Sequence, residues 1–122
     1  MQKLDRALLV AANLRTDIKT TEDSILELEE LAKACNIDPI DKVIQSIDQI
    51  DPRYYIGSGK VEEIKKMIDI LNIDMVIFDD TLSPGQLRNL EKTLETTIID
   101  RSFLILQIFA ERAKTKHAMF EV

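Results

Sequence analysis

With 122 residues, 45% of them hydrophobic and 31% charged, the chain has the size and balance of one globular domain with a single core, which excludes a disordered segment. A net charge of −6 excludes a uniformly basic nucleic-acid binder, and no apolar run approaches the roughly 20 residues that a membrane span requires. The charge is uneven: +2 over residues 1–20, −7 over 21–51 and −1 over 52–122, so any nucleic-acid surface belongs to the last two-thirds or to the amino end. The opening MQKLDRALLVAANLR has too short an apolar segment for a signal peptide, and a cytoplasmic location is expected. Cys35 is the single cysteine, which rules out an internal disulfide or a cysteine-built metal site and reads as a buried, inert thiol.

In chain order, Ala7 to Ala12 form a continuous apolar run too short for a helix, the pattern of a strand buried on both faces. Thr20 and Thr21 are cap residues ahead of an amphipathic helix carrying Ile25, Leu28, Leu31 and Ala32 as far as Asn36. Asp38-Pro39 breaks that pattern, and Val43, Ile44 and Ile47 place a second strand within residues 40–49. Gly57-Ser58-Gly59 leads into a helix with Val61, Ile64 and Leu71 on one face, ending near Asn72. Met75 to Phe78 is a third, all-apolar strand closed by Asp79 and Asp80. Ser83-Pro84-Gly85-Gln86 supplies a hydroxyl cap, proline at the first helical position and glutamine three residues after the cap, so a helix with Leu87, Leu90 and Leu94 inward starts here. Thr96 to Ile99 is a fourth strand ended by Asp100, and Phe103 to Ala113 is a helix apolar nearly all round at its start, which demands cover on several sides. Strands alternating with helices predict an α/β fold: a mostly parallel four-stranded sheet flanked by helices.

Three groups of residues bear on chemistry. The string YIGSGKVEEI offers Gly57, Ser58, Gly59 and Lys60 as an anion-holding turn, but it departs from the phosphate-loop pattern, with Tyr54 and Val61 where glycine and a hydroxyl residue belong. It reads either as a nucleotide contact or as a tight turn with Lys60 in solvent. Asp79, Asp80 and Asp100, at the carboxyl ends of parallel strands, are weak candidates for Mg²⁺ or else helix caps. Arg112, Lys114, Lys116 and His117 form a basic group suited to RNA phosphates, with Arg88, Lys92 and Arg101 as additions to the same side; the alternative is an ordinary solvated helix face. His117, the one histidine, has no partners for a triad or a zinc site.

Taken in order, YIGSGKVEEI, VIFDDTLSPGQLRNLEK and IIDRSFLILQIFAERAKTK closely resemble the amino-terminal domain of the HflX family of translational GTPases, over residues 43–122 most clearly. The resemblance implies residues 1–101 as an α/β subdomain and 102–122 as the start of a helical hairpin, with the GTPase domain absent from this chain. It implies binding to the large ribosomal subunit and its RNA through Arg112, Lys114, Lys116 and His117, with Lys60 second, in a parent that splits or rescues stalled ribosomes. It also implies the parent's own GTPase domain as a partner, self-association through the cut helix, and a cytoplasmic location on ribosomes or peripherally on membrane. GTP and Mg²⁺ belong to the parent. The fragment, which lacks GxxxxGK[ST], DxxG and NKxD, is expected to hydrolyse no GTP and to need no cofactor. The alternative is a secondary ATP-binding or ATPase module built on the turn from Gly57 to Lys60. His117 and Phe120 depart from the acidic and aliphatic residues that the family carries near the hairpin tip.

Overall fold

The structure, a computed structural model, describes residues 3–14 and 18–120, and of residues 18–19 and 114–120 the backbone alone. Among these residues strands and helices alternate strictly: β1 (Asp5–Leu14), α1 (Ile18–Ala34), β2 (Ile37–Ile47), α2 (Ser58–Leu71), β3 (Met75–Phe78), α3 (Pro84–Leu94), β4 (Thr97–Asp100) and α4 (Arg101–Phe120). The sheet has the order β2-β1-β3-β4 with every pairing parallel.

Successive residues of a strand point to opposite faces, and in β1 both sets are apolar, so both faces must be covered. Leu8 and Val10, with Val76 and Phe78 of β3 and Ile98 of β4, pack under Val61, Ile64 and Ile68 of α2 and Leu90 and Leu94 of α3. Ala7, Leu9 and Ala11, with Ile77, pack under Ile25, Leu28 and Ala32 of α1 and Leu104 of α4. The small side chains of β1 on this second face let α1 lie close to the sheet.

The helix ends follow the chemistry of their residues. Ser83 caps α3 in a full capping box: the Gln86 amide donates to Ser83 Oγ (3.1 Å) and the Ser83 amide to Gln86 Oε1 (2.9 Å), with Pro84 in the first turn. Asn72 and Glu95 close α2 and α3 in the left-handed conformation. Arg6 at the start of β1 donates to the carbonyls of Leu71 and Asn72, placing a cation on the negative end of α2.

Four expectations need correction. Thr20 and Thr21 are not caps: α1 already begins at Ile18, and Thr21 Oγ1 donates to Asn13 Oδ1 (2.9 Å). Pro39 does not precede the second strand but lies inside it, because β2 is an edge strand and needs no donor there; Pro39 pairs with Ala7 and Asp41 with Leu8, leaving Ile40 as an extra residue. α4 starts at Arg101, directly after β4, rather than at Phe103. Its early apolar residues are also not covered on several sides, since Leu104 is buried while Phe103, Leu106 and Phe109 are 45%, 65% and 62% exposed.

The capping box gives a direct check on α3. Ser83→Ala removes one acceptor from the first turn and is expected to lower stability by about 1 kcal/mol in urea unfolding, whereas Ser83→Asp, which keeps an acceptor, stays near wild type.

Candidate functional site

β1 feeds α1 on one face and β2 on one side of the sheet; β3 feeds α3 on the opposite face and β4 on the other side. The strand order therefore reverses between β1 and β3, and a crevice opens at their carboxyl ends, where open α/β sheets take ligands. A cleft of about 220 Å³ lies there, lined by Asn13 and Leu14 from β1, Thr20 and Thr21 from α1, Tyr55 from the segment before α2, and Asp80. Asn13 is buried, with Oδ1 accepting from Thr21 and Nδ2 donating to Ser46 Oγ (3.4 Å).

The three strand-end acids all have protein partners. Asp79, its side chain 2% exposed, takes a hydrogen-bonded ion pair from Arg101 Nη1 (2.9 Å), and Arg101 also reaches Ser24 and the Glu27 carboxylate on α1. Asp80 accepts from the Tyr55 hydroxyl (2.8 Å) and the Thr81 amide (2.8 Å). Asp100 accepts from the amides of Leu82 (2.9 Å) and Phe103 (3.0 Å), which makes it a cap for α4. Among the described residues no group of acids, histidine or cysteine is arranged to hold a metal ion.

Tyr55 is the residue that sequence reasoning missed. It has φ 70, a conformation costly for a bulky side chain, and three contacts hold it. These are a backbone bridge with Asp51, an edge-on ring contact with Phe78 at 5.8 Å, and the hydroxyl bond to Asp80. The segment carrying it is fastened to α3 by Gln86 Nε2 donating to the Asp51 carbonyl (2.8 Å) and Asn89 Nδ2 donating to that of Arg53 (3.1 Å). Its adjacency to the glycine turn was the available signal.

The turn itself is quieter than its sequence suggests. Gly57 has φ −67, no glycine has positive φ, and a Cβ at Gly59 would meet open space, so only Gly57 is constrained, by the Gln45 Nε2 that a Cβ there would meet at 3.3 Å. The Gly57 amide donates to Gln45 Oε1 (3.0 Å), Ser58 is exposed, and Lys60 is paired with Glu63 at 2.8 Å.

The basic candidates do not form one group. Arg88 and Lys92 are exposed on α3, on the opposite face of the sheet from α4, and Arg101 is consumed by Asp79 and Glu27; the expectation that these add to the Arg112 side is overturned. Arg112 is exposed on α4, while the side chains of Lys114, Lys116 and His117 lie outside the described residues. Cys35 is half-buried rather than buried, its thiol 3.8 Å from the Leu104 carbonyl, and burial and the Glu111 carboxylate push its pKa up. A raised pKa keeps it protonated and unreactive.

A family model described as GTP-binding GTPase N-terminal matches residues 22–110. The chain belongs to this family, the amino-terminal domain of HflX-type GTPases. Curated relatives named GTPase HflX include one from Lacrimispora saccharolytica, 45% identical over 97% of this chain, and one from Escherichia coli, 36% identical over 97%. One from the archaeon Methanocaldococcus jannaschii is 42% identical over 89% of this chain. The chain spans only 28%, 27% and 27% of those three proteins. Among solved structures, a GTP-binding protein from Sulfolobus solfataricus in complex with GDP matches with a TM-score of 0.60 and 19% identity, over 88% of this chain and 30% of that one. That likeness confirms the fold of this HflX-type domain.

The Tyr55 environment makes a pH prediction. Burial first, then the hydrogen bond to Asp80 and the charges of Asp80 and Asp79, push the hydroxyl well above the usual tyrosine range. Folding disfavours the tyrosinate, so the contribution to stability is complete below the ordinary value of about 10 and declines as pH rises beyond it. At about pH 11, folded wild type and Tyr55→Phe are expected to show the same tyrosinate absorbance, and to differ by one tyrosine only after unfolding in urea.

Proposed function

We propose that this chain is the ribosome-contacting, regulatory part of an HflX-type GTPase, and that it binds large-subunit RNA through the far half of α4. In this reading residues 1–101 are the α/β body and 102–122 begin a helical hairpin. The parent splits or rescues stalled ribosomes in the cytoplasm, and GTP and Mg²⁺ act in its GTPase domain. That domain is the body's covalent partner, and the body itself hydrolyses no GTP.

The observation that carries the reading is the course of α4. Leu104 is its one buried side chain among the described residues, and from Phe109 onward every described side chain is exposed. At 1.5 Å per residue the helix from Phe109 to Phe120 is about 18 Å long. This stretch carries Arg112, Lys114, Lys116 and His117, and positions 112 and 116 stand one turn apart while 114 lies across the helix axis. A helix with cations on more than one side suits insertion among phosphates rather than docking on a flat anionic face.

The ATP-site alternative has less support. Lys60 is engaged by Glu63, and the nearby cleft presents the Asp80 carboxylate, which repels phosphate.

Replacing Arg112, Lys114 and Lys116 by alanine together is expected to weaken binding to large-subunit RNA. The log–log salt dependence should flatten by roughly 0.7–0.9 per lost phosphate contact. Filter binding over a salt series measures both, and an unchanged slope refutes the assignment.

The stripe Phe103, Leu106 and Phe109 is read as the seam on which the rest of the parent packs. Without that cover the isolated chain is expected to pair with a second copy. Light scattering should show mass rising with concentration, and Phe109→Glu should hold it at one chain.

A further inference from the structure

We propose that the loop from Asp79 to Ser83 is a relay that couples the cleft at the β1–β3 switch point to the first turn of α4, with the Tyr55 hydroxyl as its trigger. Successive residues of this loop bond in opposite directions. Asp80 turns to the cleft and accepts from Tyr55, its other oxygen holding the Thr81 amide so that the carboxylate has one setting. Asp79 turns the other way to Arg101, Thr81 shares a 2.6 Å hydrogen bond with Ser102, and the Leu82 amide donates to Asp100. Asp100 in turn accepts from the Phe103 amide. Arg101, Ser102 and Phe103, the first three residues of α4, are thereby each tied to the loop directly or through Asp100.

The links are stiff. Hydrogen bonds of this length weaken steeply when stretched, and the Asp79 carboxylate, buried as it is, cannot give up Arg101 without leaving an uncompensated charge. The Asp79 amide donates to the Val10 carbonyl (2.8 Å), which fixes the root of the loop on β1. Tyr55 supplies the second state. It is held at positive φ by its backbone bridge, its ring contact and its hydroxyl bond, so losing the hydroxyl bond releases one of the holds on a strained residue and frees Asp80 together with the loop. Beyond Leu104 only Ile108 is half-buried among the described side chains of α4, so its direction is set by this first turn together with its contact along α1. Tyr55 acts here as a positioning residue for a helix that none of its own contacts touches.

The test is hydrogen exchange on the 122-residue chain, comparing wild type with Tyr55→Phe. Amides of Ile105 to Ile108, which bond back to the carbonyls of residues 101–104, are expected to exchange about tenfold faster in the variant, the scale of one hydrogen bond to a carboxylate. Those of Ile64 to Ile68 in α2 should keep their rates. Asp80→Asn, which weakens the same bond from its other end, is expected to give the same ratio of α4 to α2 acceleration. Because the readout is that ratio, a general loss of stability does not imitate the effect. Equal acceleration in α2 and α4, or a change confined to residues 51–57, overturns the proposal.

Discussion

Everything in this molecule is arranged around a strand that cannot touch water on either face. β1 presents Leu8 and Val10 to one side and Ala7, Leu9 and Ala11 to the other, all buried, and β3 beside it does the same with Val76, Ile77 and Phe78. A parallel sheet of this kind needs helices on both faces, and right-handed crossovers distribute them: α1 and α4 below, α2 and α3 above. Polar side chains are thereby excluded from the middle of the sheet and gather at the strand ends. The reversal between β1 and β3 then fixes where those ends stand open.

What gathers there is acidic, and the way its charge is compensated shapes the rest. Asp79 is too buried to rely on water, and its partner is Arg101, the first residue of α4. Asp80 is satisfied by a phenol and an amide, Asp100 by two amides. The carboxylates are spent on holding the body together at the point where α4 departs. The same ion pair explains why Arg101 joins no basic surface: like Arg6, which holds the end of α2, it is used to stabilise the body.

The sequence read well wherever a local rule acts by itself. The β3 limits came directly from an uninterrupted apolar run, and the start of α3 from Ser83, Pro84 and Gln86, because capping chemistry is contained within four residues. The family was legible from three ordered strings. It read poorly where a distant partner decides. Pro39 breaks a helix by local logic, yet as part of an edge strand it costs no hydrogen bond, and edge status depends on strand order. Thr21 resembled a cap but donates to Asn13 on the neighbouring strand. Tyr55 carried no motif of its own; its positive φ is held in part, and its hydroxyl bond wholly, by partners on and after β3, Asp80 lying 25 positions away. Arg101 was grouped by charge with residues near it in sequence, while its real partners lie 22 and 74 positions back.

The junction of β4 and α4 brings these threads together. Asp100 ends the strand and Arg101 begins the helix, with no intervening loop to absorb a change of angle. An α-helix is stiff along its length, so a small rotation at its first turn becomes a larger displacement at Arg112, some 16 Å along the axis at 1.5 Å per residue. The body and the basic end of α4 are thus joined as a short arm and a long arm about one pinned turn. The pin is made from residues next to the crevice-lining Asp80: Asp79, Thr81 and Asp100 on one side, Arg101, Ser102 and Phe103 on the other. A helix pinned at its root and resting on α1 over its first turns, with apolar residues left open along its other side, is oriented by whatever bears on that root and by whatever later covers that side. That gives the parent protein two independent points from which to aim one basic surface.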